Sequence, residues 1–500
     1  MSTIHEQAMN YVYQQVLQRL LSYFTRAERT ALQLLIQRLI VAAGGIERVS
    51  SFKALVAFGG GKDSAYTLAF MRAAQLSIAC RAPGTFNLRV ATLRHAGITP
   101  AVMDNIHRSY SALFLYDDPR VETLVIDNQY TQAFEPDLPF SSAGREQNRS
   151  DMLLAGHLSA GDGRTTFCNS CYLNLADFLG RAASSGTGVE AVVSGDSSKD
   201  QKHYGTWLAR LAQRSGQGGG PWATQSLGGA LRLVDNIGQA WYQELYSEEE
   251  EAARPQRTAP YSGRASAPAL ISIADLVSCK VEDHWNLLTE FLGFRFSDLA
   301  FSFSESDCAN PLLMAHMRGL KAQHLQQRHY ADGIAEYLQL ATLLMRRKHM
   351  PQRLIDQTLA AYQGAERIEA RRELAASFAQ EGYGLNESQL VCMLFSPFVN
   401  EGRGLEVFLR RSHPGMLVAL PDLHKALQGG SAPEQVLQWL TDISGLSIKG
   451  LQNLYRKQRV DFDDNQSLIA RIRASDPDKR RISTVDPQTG EAVHEVLSGR

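Results

Sequence analysis

The stretch 54–64 has the residue types and the spacing of a loop that holds phosphate. It runs from an apolar segment through glycines to polar side chains, in the order Ala54–Phe58, Gly59, Gly60, Gly61, Lys62, Asp63 and Ser64. The apolar segment suits a buried strand, the glycines allow a tight turn, and a helix-forming run begins after Ser64. The glycine N–H groups, the helix dipole, the Lys62 ammonium and the Ser64 hydroxyl can converge on an anion. The stretch therefore predicts nucleotide binding.

The spacing excludes two common phosphate loops. A Walker A loop has glycine, four residues and then Gly-Lys-Ser/Thr, whereas a dinucleotide fingerprint has G-x-G-x-x-G. In this chain Lys62 follows three contiguous glycines, and Asp63 and Ser64 come next. A glycine-rich strand-to-helix turn without a ligand stays open as the alternative interpretation.

Two cysteines form the second informative pattern. Cys168 and Cys171 are spaced C-x-x-C, which brings two thiolates within reach of one metal ion or cluster, or lets them form a redox disulfide. A metal would need a further ligand, and Cys279 and Cys308 are the candidates. Cys392 lies in an apolar run, where a cysteine is expected to be a small buried hydrophobe.

The loop resembles the S-G-G-x-D-S pyrophosphatase loop of the PP-loop ATP pyrophosphatase superfamily. Gly59 stands where that family usually has serine, so one hydroxyl ligand is missing. The resemblance implies a Rossmann-like, HUP-type α/β fold that binds ATP and Mg²⁺ and breaks ATP into AMP and pyrophosphate to activate a substrate. On this chain it assigns Gly59, Gly60, Gly61, Lys62, Asp63 and Ser64 to binding of the nucleotide phosphates.

A narrower resemblance joins the loop to the cysteines. The 2-thiocytidine and 2-thiouridine synthetases, a tRNA-thiolating branch of that superfamily, carry a C-x-x-C after the loop and one later cysteine. In that branch the three thiolates hold a [4Fe-4S] cluster with one iron left open. Cys168, Cys171 and a late cysteine are similar to this arrangement, and the resemblance covers residues 51–318. The setting of Cys308, beside an Asn-Pro pair and a basic helix, favours it over Cys279 as the third ligand.

The resemblance also assigns chemical roles. Lys62, Asp63, Asp196 and Asp200 would be the catalytic residues, with the aspartates contacting Mg²⁺ or the nucleotide. The segment Gly195–Gln201 here replaces the family's G-H-x-x-D-D pattern.

The implied reaction is adenylation of a substrate carbonyl followed by sulfur transfer. Pyrophosphate leaves in the first step, and a sulfide displaces AMP in the second. The expected partners are tRNA or a small nucleobase-like substrate together with a sulfur donor protein or sulfide, and a homodimer through helical segments stays open. Without a cluster, Cys168 or Cys171 could carry a persulfide. Lys280 and Arg318 are candidate contacts to ATP or substrate, whereas His203, His284 and His316 are expected to be surface or packing residues.

Two other classes of function remain alternatives. The same adenylation with an amine or ammonia as nucleophile would make the chain an amide- or nitrile-forming ligase resembling 7-cyano-7-deazaguanine synthase, with the cysteines on a structural Zn²⁺. The loop could instead belong to a nucleotide sensor within a larger assembly, which the Gly59 substitution favours.

The composition is that of an ordinary soluble protein. Hydrophobic residues make up 44% and charged residues 21% of the 500 residues, and the net charge of −1 gives no overall electrostatic reason to bind nucleic acid. No apolar run approaches the ~20 residues of a membrane span, and the first residues lack a signal-peptide pattern. These features predict a cytoplasmic protein without membrane contact, in which six cysteines are too few for a disulfide framework.

The first two parts of the chain carry the elements that position the loop. Residues 1–50 are predicted to form two amphipathic helices with a hinge near residues 25–28. Residues 51–318 alternate strands and helices, which implies an α/β domain with a parallel sheet and ligands at the carboxyl ends of its strands. The predicted strands are Ala54–Phe58, Leu88–Leu93, Glu122–Ile126, Val189–Val193 and Ala269–Ile273.

The remaining segments have other patterns. Two insertions within the α/β domain, near 213–221 and 247–268, are rich in Gly, Glu, Pro and Ser and are expected to be mobile surface loops. Residues 319–475 show helical periodicity and are expected to form an all-helical domain with its own core. Residues 476–500 are expected to be a polar tail.

Overall fold

The computed structural model shows an α/β protein built on one central, mostly parallel sheet. It describes residues 3–127, 130–167, 173–195, 198–216, 226–252, 254, 268–277, 281–295, 311–347, 350, 352–464, 466–475, 480–486 and 489–497.

Six strands form the central sheet. In chain order they are β1 (Lys53–Ala57), β2 (Asn87–Leu93), β3 (Val121–Ile126), β4 (Thr131–Ala133), β5 (Ala191–Ser194) and β6 (Ala269–Ser272). They lie side by side in the order β4-β3-β2-β1-β5-β6, and all neighbours are parallel except β3 and β4. The five strands expected from the sequence are therefore present. The antiparallel edge strand β4 was not expected, because its three exposed residues give no apolar signal.

Helices precede the sheet, connect its strands and follow it. In chain order they are α1 (Thr3–Tyr23), α2 (Arg26–Ala42), α3 (Lys62–Ala79), α4 (Pro100–Ala112), α5 (Ser142–Leu158), α6 (Gly163–Phe167), α7 (Leu175–Ser184), α8 (Ser198–Ser215), α9 (Leu227–Leu245), α10 (Glu248–Ala252), α11 (Val281–Asn286), α12 (Pro311–Leu320), α13 (Tyr330–Arg347), α14 (Gln352–Ala360), α15 (Ala365–Phe378), α16 (Glu387–Phe395), α17 (Leu405–Ser412), α18 (Leu420–Leu427), α19 (Glu434–Ser444), α20 (Ile448–Arg456) and α21 (Leu468–Ala474). Across the described ranges, none of the helices has the length and apolar character needed to cross a membrane.

Short turns of tighter or wider helix extend this set. The 3-10 turns are Ile46–Ser51, Asn400–Gly402 and Pro414–Ala419, and the π turns are Leu287–Phe291, Lys321–Leu325 and Ala379–Tyr383.

The two N-terminal helices meet at a capped hinge, as the sequence predicts. The Thr25 hydroxyl accepts the Glu28 N–H (3.2 Å), and the Glu28 carboxylate accepts the Thr25 N–H (2.7 Å). This reciprocal capping box satisfies two backbone donors and starts α2 directly after α1 ends.

The two faces of the sheet are buried against different helices because side chains alternate along a strand. Ala54 and Val56 of β1 belong to a core that contains the apolar residues of α1–α4. Leu55, between them, belongs to a second core that contains residues of α5 and of the helices that follow the sheet. Helices on both faces explain why the strands read as continuous apolar runs.

The C-terminal helices complete this second core and do not form a separate one. Leu440 of α19 and Met393 of α16 belong to the same buried cluster as Leu55 of β1. Gly156 of α5 lies so close to Met393 that a Cβ atom there would be 2.3 Å from its sulfur. Helical periodicity shows which face of a helix is apolar but not what that face packs against, so the bounds 319–475 of a helical domain stay a prediction.

The beginning of the second insertion is anchored, although its composition suggests a mobile loop. Residues 248–252 form α10, and the Arg254 side chain is only 14% exposed. Its guanidinium lies 2.8 Å from the buried Asp151 carboxylate and 3.8 Å from the centroid of the Tyr242 ring. The ion pair of Arg254 with a buried carboxylate thus fixes the start of a segment whose acidic composition predicted a mobile loop. Residues 217–221 of the first insertion and 255–267 of the second lie outside the described residues.

The segment expected to be a polar tail contains an antiparallel hairpin, β7 (Arg480–Val485) and β8 (Ala492–Leu497). Ile482 and Thr484 are buried, and the Thr484 hydroxyl donates to Glu336 of α13 (2.6 Å). Arg318 of α12 forms ion pairs with Glu336 (2.7 Å) and with Glu495 of β8 (2.6 Å). Arg318, a candidate contact to ATP or substrate, is thus part of a buried network that holds the hairpin.

His157 gives the fold a defined dependence on pH. Its side chain is fully buried in α5, its Nε2 lies 3.4 Å from the Ser444 carbonyl oxygen, and burial lowers its pKa to about 4. The folded state therefore keeps this ring neutral, while the unfolded chain takes up a proton below a pKa of about 6.5. Stability should be lost as pH falls from about 6.5 towards 4.

Replacing His157 should remove that loss. Between pH 7 and pH 5, the decrease in the free energy of unfolding should be about 2 kcal/mol smaller in His157→Gln than in the unchanged chain. Chemical denaturation at the two pH values measures the difference, and His329→Gln, at an exposed position, is the control. An unchanged pH dependence in His157→Gln would show that the native ring titrates with nearly the same pKa as in the unfolded chain.

Candidate functional site

The predicted phosphate loop joins the internal strand β1 to α3 at the carboxyl edge of the sheet. Phe58 continues the strand, since its N–H donates to the Ala91 carbonyl of β2 (2.8 Å). Gly60 then turns the chain with a φ of 74°, and Gly61 precedes Lys62, the first residue of α3, in an extended conformation. The first N–H groups of a helix have no acceptor within the helix. The N-terminus of α3 therefore directs donors and its positive dipole towards the space beyond β1.

Two glycines at this edge are required by close contacts. A Cβ atom on Gly60 would lie 2.9 Å from side-chain carbons of Val102 and Ile106 in α4, and its positive φ would strain any other residue. A Cβ atom on Gly195, the residue after β5, would lie 2.1 Å from Thr67 Oγ1 in α3. The backbone after β1 thus packs directly on α4, and the backbone after β5 packs directly on α3.

Gly59 has a different environment. No atom lies within 4 Å of a Cβ atom placed there. The serine hydroxyl that the PP-loop family has at this position would therefore fit, and the backbone shape does not require glycine.

The polar residues of the loop differ in exposure. Lys62 is 6% exposed, Ser64 is half-buried and Asp63 is exposed. The Ser64 hydroxyl donates to the Gly61 carbonyl (3.0 Å), and the Thr67 hydroxyl donates to the Asp63 carbonyl (3.1 Å). Lys62 is the first residue of α3 and follows Gly61 directly, so its side chain starts at the loop.

Two buried polar residues that sequence reasoning missed follow the neighbouring strands. His95 lies after β2, and its Nδ1 accepts the Gly97 N–H (3.1 Å), which leaves the proton of the neutral ring on Nε2. Asp127 lies after β3 and accepts the Tyr130 N–H (2.7 Å). Burial lowers the pKa of the Arg94 guanidinium, an effect that the Asp127 carboxylate opposes. The signal available was a polar residue directly after an apolar strand for Asp127, and one two positions after a strand for His95.

Most of the other predicted site residues lie outside the described part of the chain. These are Cys168, Cys171, Asp196, Cys279, Lys280 and Cys308. Asp200 lies in α8, but its side chain, like that of His203, is not among those described. Among the described side chains, no three His, Cys, Asp or Glu residues are grouped so that they could hold a metal ion.

The described residues that flank the cysteines lie against each other. α6 ends one residue before Cys168, and α12 begins three residues after Cys308. A Cβ atom on Gly163, the first residue of α6, would lie 2.4 Å from Met314 Cε of α12. The chain therefore enters the C-x-x-C segment from a helix that touches the one following Cys308.

The two described cysteines and two of the described histidines differ in burial. Cys392 is fully buried, as expected, and burial raises the pKa of its thiol. Cys80 is exposed at the end of α3. The His316 Nδ1 lies 2.8 Å from the Tyr330 hydroxyl, and burial lowers the His316 pKa to about 4. His284 is buried against the second turn of α3.

The contrast between Gly60 and Gly59 gives a direct test of the loop. Gly60→Ala should weaken the binding of inorganic pyrophosphate at least ~10-fold and lower the free energy of unfolding by about 1–3 kcal/mol, because the new Cβ collides with α4 at a positive φ. Gly59→Ser is the matched control and should leave both quantities nearly unchanged. Calorimetric titration and chemical denaturation measure them. If folded Gly60→Ala binds pyrophosphate as tightly as the unchanged chain, the anion site is not at this loop.

No family model, curated protein or solved structure matches the chain. The geometry of the loop, its close contacts and the chemistry of its residues are therefore the observations on which a function rests.

Proposed function

We propose that the chain activates a substrate carbonyl with ATP, releases pyrophosphate and then transfers sulfur to the activated carbon. The observation that carries this proposal is the turn from Gly59 to Ser64. It lies at the carboxyl end of an internal parallel strand, is pressed onto α4 at Gly60 and opens directly into the N-terminus of α3. Open α/β sheets bind ligands at this edge.

The loop suits the departure of pyrophosphate. In adenylation the substrate oxygen attacks the α-phosphorus of ATP, and negative charge grows on the β- and γ-phosphates as the bond to them breaks. The amides of Gly59–Gly61, the Lys62 ammonium and the Ser64 hydroxyl would stabilise that charge. Asp63, Asp196 and Asp200 would hold Mg²⁺ or its waters, since carboxylates are the ligands Mg²⁺ prefers. His95 and Asp127, which border the same edge, would contact the rest of the nucleotide or the substrate.

The cysteines supply the second half of the proposal. Cys168, Cys171 and Cys308 would hold a [4Fe-4S] cluster, which when bound offers an open iron to an exogenous sulfide. The contact between α6 and α12 supports this set, because these helices border the segments that carry the three residues. In the transfer step a sulfide forms the new C–S bond, the C–O bond to AMP breaks, and AMP leaves with the oxygen. No electron is gained or lost.

A polyanionic substrate, such as tRNA, fits the basic helix α8 that leaves this edge better than a free nucleobase does. α8 begins three residues after Gly195, and its residues 198–215 include four Lys or Arg and one acidic residue. Lys202, Arg210 and Arg214 are exposed on it. Phosphate contacts from such residues supply most of the affinity for nucleic acid.

The identity of the products tests the nucleotide half. The chain should convert ATP to AMP and pyrophosphate in the presence of Mg²⁺ and substrate RNA, and Lys62→Gln should lower kcat/KM about 100-fold by removing a charge from the leaving group. Lys53→Gln, at the amino end of the same β1 strand, is the control and should retain activity. Chromatography of labelled ATP identifies the products. Release of ADP would contradict the loop assignment, and tight ATP binding without turnover would favour a nucleotide sensor.

Metal content tests the sulfur half. Anaerobically purified protein should be brown and contain iron and sulfide, and Cys168→Ser, Cys171→Ser and Cys308→Ser should each lose the colour because a thiolate ligand is removed. Cys80→Ser and Cys392→Ser are the controls and should stay brown. Elemental analysis and absorption spectra measure the result. Colourless protein with one equivalent of zinc would instead support the amide-forming alternative.

A further inference from the structure

A buried glutamate of the N-terminal helices reaches the phosphate-loop helix. Glu28 of α2 is 8% exposed, and one of its carboxylate oxygens is used in the capping box with Thr25. The other oxygen, Oε1, accepts the Tyr66 hydroxyl of α3 (2.8 Å) and lies 3.1 Å from His284 Nδ1 of α11. One carboxylate therefore joins three separate parts of the chain.

The two donors to Glu28 also stack on each other. The Tyr66 and His284 rings have centroids 3.7 Å apart and an interplanar angle of 23°. Tyr66 also stacks with Phe70 (5.8 Å), which packs with Phe24 at the end of α1 (5.4 Å). The result is a series of ring contacts along α3, and Glu28 bonds the last two rings, Tyr66 and His284.

These ring contacts lie on the face of α3 that carries the loop lysine. Tyr66 follows Lys62 by four residues, so both side chains share one helix face, and a helical side chain covers the turn that precedes it. His284 comes from the helix that follows β6, whose carboxyl end faces the same edge as the loop. Glu28 thus ties the first two turns of α3 to the helix that follows β6 in the chain.

The charge on Glu28 indicates that its contacts with Tyr66 and His284 do more than fill space in the core. Burial alone would raise the pKa of Glu28, but hydrogen bonds from His284, Thr25 and Tyr66 lower it to about 2. A buried charge carries a large desolvation cost, and an apolar side chain of similar volume often stabilises a core as well or better. A fully hydrogen-bonded carboxylate, by contrast, fixes the direction of each donor.

We propose that Glu28 is a positioning residue for the phosphate loop, acting through Tyr66 and His284, so that the N-terminal helices form part of the nucleotide site. This inference rests on the proposed binding of ATP at Gly59–Ser64. The carboxylate holds the first turns of α3 in the orientation that aims the Lys62 ammonium and the helix N-terminus at the phosphates.

The inference is tested by measuring both the affinity for Mg·ATP and the thermal stability of each variant. In the full-length protein, Glu28→Gln and Tyr66→Phe should each raise the Kd for Mg·ATP about 10-fold, since each removes part of the contact with little change in volume. The double variant should be no weaker than the worse single variant, because both changes break the same interaction. Calorimetric titration gives the Kd, and thermal unfolding is recorded for every variant.

Two controls separate positioning from stability. Arg38→Gln breaks an exposed ion pair between α2 and Asp275 (2.6 Å), and Leu39→Ala empties a fully buried position of α2. Arg38→Gln should change neither quantity, whereas Leu39→Ala should lower the unfolding temperature and leave the Kd of the folded protein unchanged. If Leu39→Ala weakens the binding of Mg·ATP as much as Glu28→Gln does, the inference is overturned, and Glu28 has only a general structural role.

The outcome for the unchanged chain distinguishes the two proposals. If it does not bind Mg·ATP, the proposed function fails. If it binds Mg·ATP and Glu28→Gln binds equally well, the proposed function stands and the role of Glu28 is refuted.

Discussion

The parallel pairing of β1 with β2 on one side and β5 on the other is the constraint on which the candidate site depends. Val56 of β1 lies in register with Val90 of β2 and Val193 of β5, so the three strands end at the same edge. The pairing places Gly60 and Gly195 where one contacts α4 and the other contacts α3. A shift of one residue would turn the buried side chains of β1 to the wrong face and move the loop away from both helices.

The sequence was sufficient for the parts of the site that are encoded locally. An apolar strand, a glycine turn and a helix-forming run follow one another within residues 54–79, and each is recognised from its own residues. The capping box at Thr25 and Glu28 is local in the same sense, because its two partners are three residues apart. Close contacts strengthen these local signals, since Gly60 is needed both for its φ and for its distance from Val102.

Features that depend on distant partners could not be predicted in this way. The sequence around Glu28 predicts a capping residue. Its second carboxylate oxygen, however, contacts Tyr66, which lies 38 residues later, and His284, which lies after β6. Arg254 lies in an acidic, Pro-rich segment, and only the buried Asp151 of α5 explains its position. The hairpin near the C-terminus depends on Glu336 and Arg318, which lie far from it in sequence. Polar composition describes the surroundings of such residues but not their partners.

The shared core on the second face of the sheet has a consequence for synthesis. Leu55 is made early, while Leu440, which belongs to the same buried cluster, is made nearly four hundred residues later. During translation α5, α7 and α9 can cover part of this second face, but its core stays incomplete until the C-terminal helices are made. Completed strands with exposed apolar side chains are what chaperones bind. The order of the helices along the chain thus leaves apolar side chains of this core without their final neighbours until the last third of the chain is made.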